Sequence, residues 1–148
     1  MSHRSRPGLI LPFLALSFGL ATGCKTSVPQ PPQAQTAGLR IDVQKVSSSA
    51  RKQRIDVSLK IWNDHEQRIS FDLGNVRLLF NGREVSPSPA LTKDPNPDVQ
   101  AKSNRQLYWS FEVGDVIGEG TYPIEIREIH KGDMPLGEKA EFRINIGA

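Results

Sequence analysis

The chain reads as an all-β, antiparallel two-sheet sandwich of seven to eight strands, and three observations predict it. From Leu39 onward apolar and polar residues alternate with period two, the signature of strands buried on one face. One such run ends directly on Asn81-Gly82, the dipeptide suited to a tight hairpin turn because both positions tolerate positive φ. No stretch of comparable length carries a helical stripe. At 148 residues the chain has room for one core of ordinary size and not for two.

The strands follow in order. Leu39, Ile41 and Val43 alternate with Arg40, Asp42 and Gln44; Ile55, Val57, Leu59 and Ile61 alternate with Asp56, Ser58, Lys60 and Trp62. Ile69, Phe71 and Leu73 come next, then Val76, Leu78 and Phe80 before the Asn-Gly turn. Leu107, Trp109, Phe111 and Val113 repeat the pattern, followed by Tyr122, Ile124 and Ile126 and by Ala140, Phe142, Ile144 and Ile146. One face of each strand is apolar, so two sheets must close on each other. Trp109, in phase with its neighbours, is expected in the core.

Gly120-Thr121-Tyr122 is similar to the corner at which immunoglobulin-like sandwiches place a tyrosine. With one cysteine the chain has no immunoglobulin disulfide, so this resemblance is architectural. The run from Ile55 to Val85 resembles the late-embryogenesis-abundant type 2 (water-stress) sandwich, in which one strand ends on Asn and a later one on Asn-Gly. Asn63, Asn81 and Gly82 match; Asp64 and His65 depart from that family's Asn-Pro-Asn. The segments Ser110–Val113 and Gly120–Ile126 are also similar to immunoglobulin-like domains of small bacterial lipoproteins. None of these resemblances implies a catalytic residue or a cofactor.

Residues 1–23 read as an address. Met1–Gly8 contains Arg4 and Arg6 and no acid, and Leu9–Ala21 is almost wholly apolar. As a helix this run covers roughly 20 Å, short of the ~30 Å hydrocarbon core, which favours a secretory signal over a permanent span. Leu20-Ala21-Thr22-Gly23-Cys24 resembles the lipobox of bacterial lipoproteins. The resemblance implies cleavage before Cys24 and lipid attachment at Cys24, hence a chain anchored to the bacterial envelope. Lys25, where an Asp commonly retains Gram-negative lipoproteins at the inner membrane, implies the outer membrane in such a cell. Residues 24–38, with Pro29, Pro31 and Pro32 and little to bury, read as a flexible linker ahead of the domain at 39–148. Extended at ~3.1 Å per residue, this linker would reach about 40 Å. A tail without spacing role is the other reading.

Charge argues against nucleic acid as a partner. The net charge of +3 includes Arg4 and Arg6; without residues 1–23 there are 17 basic and 16 acidic side chains. The distribution is uneven: residues 24–54 hold six basic and one acidic side chain, residues 106–148 four basic and eight acidic. The basic end lies nearest the anchor, so it either faces anionic headgroups or is mixed with acids by strand pairing.

No catalytic or metal-binding constellation emerges, and the chain is expected not to be an enzyme. Asp94, Asn96 and Asp98 have calcium-loop spacing, yet Val99 and Arg105 stand where Gly and Glu are needed. His65 and His130 have no metal-ligand spacing, and Glu125 and Glu128 are read as a solvated face. No cofactor is implied. The remaining candidates concern binding. Trp62 and Tyr108 are out of phase with the inward residues and meet on one exposed face in an immunoglobulin-like order, with Leu79 joining if its strand lies in that sheet. Alternatively Trp62 bends inward and caps the core. The Pro-rich segment 86–104 is either a crossover between the sheets or a loop that enters a partner's cleft. Two functions follow: a lipid-anchored protein binding or supporting another envelope macromolecule, or an inhibitor of a hydrolase acting through 86–104.

Overall fold

The computed structural model describes residues 28–92 and 94–147. The expected signal segment and Cys24 lie outside the described residues, as do Lys93 and Ala148. Twelve strands are found among the described residues: β1 (Ala34–Thr36), β2 (Leu39–Ser49), β3 (Arg54–Asn63), β4 (Ile69–Ser70), β5 (Val76–Phe80), β6 (Arg83–Val85), β7 (Asp98–Val99), β8 (Asn104–Glu112), β9 (Gly120–Ile126), β10 (His130–Lys131), β11 (Met134–Pro135) and β12 (Ala140–Ile146). The chain is an all-β sandwich. One sheet has the order β1-β2-β3-β8, the other β12-β9-β5-β6, and every pairing is antiparallel. A third, small sheet, β11-β10-β4-β7, gathers beyond Asn63 and Ile126. Its strands have two residues each, too short to show a period in the sequence.

Alternation decides what is buried. On β3, Ile55, Val57, Leu59 and Ile61 are all 0% exposed. A bulge at Gln44 reverses the phase of β2, so Leu39, Ile41 and Val43 point inward before it and Val46 after it. Trp109 is buried between the sheets, with Phe71 edge-on at 6.1 Å and Phe142 on β12 at 6.3 Å. The Asn81-Gly82 turn takes positive φ at both residues (48° and 78°), as a two-residue hairpin requires. The tyrosine corner forms: Tyr122 donates its hydroxyl to the Gly118 carbonyl at 2.8 Å and stacks on Phe80 at 5.0 Å.

Asn63, the residue that ends β3, is 1% exposed and ties the small sheet to the large one. Its side-chain amide donates to the carbonyls of Gln67, Val99 and Gln100 at 2.8, 3.1 and 3.2 Å, and its Oδ1 accepts the His65 N–H at 2.9 Å. A buried amide whose nitrogen and oxygen are both bonded across elements is a structural hub.

The 24–38 linker requires correction in part. Residues 34–36 form β1 and pair with the edge of β2 through a turn at Ala37-Gly38, both at positive φ. Polar composition does not prevent this, because an edge strand is held by backbone groups rather than buried side chains. Gly38 is needed there: a Cβ would lie 2.3 Å from Nε2 of His65, which itself donates to the Ala37 carbonyl at 3.0 Å.

Candidate partner-binding face

Strand pairing brings two of the three proposed contact residues onto one surface. β3 and β8 are neighbours, with Ser58 opposite Tyr108 and Trp62 opposite Asn104. Trp62 and Tyr108 both point away from the core on the outer face of the β1-β2-β3-β8 sheet. They do not touch: four residues along the strand separate them, about 13 Å. Trp62 stays in register and does not bend inward. Its ring is half-buried between two cations, the Arg40 guanidinium at 4.8 Å and the Lys60 ammonium at 4.9 Å. Arg40 is held from behind by Asp64 at 3.0 Å. Leu79 does not join them. It lies on β5, in the opposite sheet, where it is partly covered.

Tyr108 is 47% exposed, and beside it lies a cavity of about 460 Å³ walled by Thr92, Asp94, Arg105 and Gln106. Partial desolvation against the sheet, with the Asp56 carboxylate close by, raises the Tyr108 phenol above its ordinary pKa. Thr92 is 7% exposed, and its hydroxyl has no hydrogen-bond partner among the described residues. Such a group stands out in a fold that satisfies its buried polar atoms. The cavity wall was not legible as a site, because it depends on the path of the 86–104 segment.

That segment crosses from β6 in one sheet to β8 in the other and is pinned along its length. Ser88 N–H donates to the Ser110 carbonyl at 2.7 Å, and the carbonyls of Pro95 and Pro97 accept from Leu73 and Phe71 at 3.0 and 3.2 Å. Val99, on β7, is 1% exposed in the core. Asp98 pairs with Arg105 at 2.9 Å, and Asp94 pairs with the same guanidinium. The two carboxylates with calcium-loop spacing therefore face an internal cation.

The outer face of the other sheet differs from the solvated surface expected of Glu125. Glu125 is 6% exposed and bonded to Lys139 at 2.7 Å and Arg127 at 3.0 Å. Lys139 foremost, and Arg127 with it, hold its carboxyl below the usual carboxylate range despite burial. Arg127 also reaches Glu84 on β6 at 2.6 Å. Glu128 is exposed and accepts from the Asn75 amide at 3.3 Å.

No family model matches the chain, and no curated protein matches it. Among solved structures it is similar to ycdA of Bacillus subtilis, a lipoprotein candidate, with a TM-score of 0.53 at 12% identity over 76% of this chain and 38% of that one. It is also similar to the Bacillus subtilis yjhA protein, with a TM-score of 0.47 at 17% identity over 64% of this chain and 76% of that one. The chain thus spans little more than a third of ycdA, and the likeness is one of fold.

Proposed function

We propose that the protein is lipid-anchored at Cys24 in the bacterial envelope and that its non-catalytic sandwich binds another envelope macromolecule through the Trp62–Tyr108 face. The anchor is supported by the lipobox-like Leu20–Cys24 and by the lipoprotein description of ycdA, whose fold the domain shares. Lys25 supports delivery to the outer membrane in a Gram-negative cell. The observation that carries the binding role is Tyr108, half-exposed beside a cavity of about 460 Å³. Tyrosine and tryptophan are enriched among the residues that carry binding energy at interfaces. The pinned 86–104 segment favours this reading over an inhibitor inserting that loop into a cleft.

Crosslinking in intact cells tests it. Replacing Trp62 and Tyr108 together by Ser is expected to remove the captured partner while leaving a folded, membrane-bound protein. Retention of the partner would show that the face is idle. Cys24→Ala is expected to abolish lipid labelling and membrane sedimentation, and labelling of that variant would overturn the anchor.

A further inference from the structure

The chain has far less slack between Cys24 and the domain than its composition implies. Gln30 lies along the edge of β12, where its side-chain amide donates to the Asn145 carbonyl at 3.0 Å and accepts the Asn145 N–H at 2.9 Å. A neighbouring strand would make this pair of bonds with its backbone; Gln30 makes it with its side chain. The Asn145 amide donates to the Pro29 carbonyl at 3.1 Å, and the Thr36 hydroxyl accepts the Glu141 N–H at 3.1 Å. Val28 occupies the space over Gly147, where a Cβ would lie 2.0 Å from its Cγ2. Residues 28–36 are thus a strap along β12 and not a spacer. Four Cα–Cα steps remain from Cys24 to Val28, about 15 Å at full stretch.

The strap begins at a defined end of the sandwich. Asn145 is opposite Thr121 at the start of β9, the end that also carries the Ala50–Gln53 connection, the Asn81-Gly82 hairpin and the 113–119 loop. These are tied together: Val113 N–H donates to the Gln53 carbonyl at 2.9 Å, and Arg83 donates to the Val113 carbonyl at 2.6 Å. Two features of this end suit a lipid surface. Arg51 and Lys52 are exposed at the tip, with no carboxylate in ion-pair range among the described residues, whereas Arg54 and Arg83 are paired with Asp56 and Asp115. Val116, in the adjacent loop, is 77% exposed. The same end also carries the exposed Glu112, Asp115 and Glu119, so the match to anionic headgroups is local to the Arg51-Lys52 tip, with Val116 supplying the protruding apolar side chain.

We propose that this end of the sandwich rests on the bilayer that holds the anchor, Arg51 and Lys52 meeting anionic headgroups and Val116 entering the interface. The inference rests on the lipid-anchor reading. It makes the domain stand end-on, with Glu66 at the far end about 30 Å from Ala50, the length of β3 at ~3.3 Å per residue. The Trp62–Tyr108 face then runs up from the membrane and is open to a partner beside it.

The test uses the full chain, processed in cells and placed in phosphatidylglycerol-containing vesicles with a headgroup-bound paramagnetic quencher. Lipidation consumes Cys24, so Ala50→Cys and Glu66→Cys each offer one thiol for a fluorescent label. Flotation with the vesicles reports on the anchor separately. A chain that fails to float overturns the anchor reading and this inference with it. In a floating chain, severalfold stronger quenching at position 50 than at 66 is expected, and equal quenching at the two positions overturns the orientation. Adding Arg51→Glu, Lys52→Glu and Val116→Asp is expected to lower quenching at position 50 without releasing the chain. Unchanged quenching would show that these side chains make no lipid contact.

Discussion

On the outer face of β5, β6 and β9, charges close on one another: Glu125, Arg127, Lys139 and Glu84 form one chain of ion pairs. On the outer face of β2, β3 and β8, Arg54, Asp56 and Ser110 also close on one another and Arg40 pairs with Asp64, but two cations lie over the Trp62 ring and Tyr108 stays 47% exposed. Both faces are strand surfaces of the same sandwich. The difference is the accessible aromatic that the second face keeps. Charges that close on one another leave little to offer a partner, whereas an accessible aromatic keeps apolar area for one.

Both faces stand on one core, so the largest effect removes the contrast altogether. Trp109→Ala, emptying the space between Phe71 and Phe142, is expected to cost about 3–5 kcal/mol, a large part of a domain's stability. Urea unfolding checks it, and a loss below about 1 kcal/mol would mean that Trp109 does not hold the sheets together.

A smaller change probes the packing beside Tyr108. Thr92→Val keeps the side-chain shape and removes a buried hydroxyl that has no hydrogen-bond partner among the described residues, so it is expected to stabilise the fold by about 1 kcal/mol. Thermal unfolding reads it. Destabilisation would show that the hydroxyl already has a partner.

The smallest effect belongs to the closed face. Glu125 has its carboxyl held below the ordinary value in the folded chain, so its contribution is present above the unfolded pKa of about 4.3 and is lost as pH falls through the folded one. Wild type is expected to exceed Glu125→Gln in Tm near neutrality, by the equivalent of about 1 kcal/mol or less because Lys139 and Arg127 are largely solvent-screened. That advantage should shrink below about pH 4. A gap independent of pH would assign Glu125 a packing role only.

Period-two alternation was enough to determine the all-β class, the inward residues of β3, β5, β8 and β12, and the Asn81-Gly82 turn, because burial of one strand face is a local pattern. It also put Tyr108 on an outward position, while Trp62 stayed open between an outward position and an inward cap on the core. The distribution of partners was decided only by the tertiary structure. Leu79 fell on the opposite sheet because the sequence does not state which strands pair. Glu125 became buried because Lys139 and Arg127 reach it from outside its own strand. The two-residue strands around Asn63 carry no period, and their order comes from one side chain bonding three carbonyls. The strap at 28–36 was illegible for the same physical reason. It is held by backbone and amide bonds to an edge that exists only once β12 has folded, and composition reports burial, not the pairing of edges.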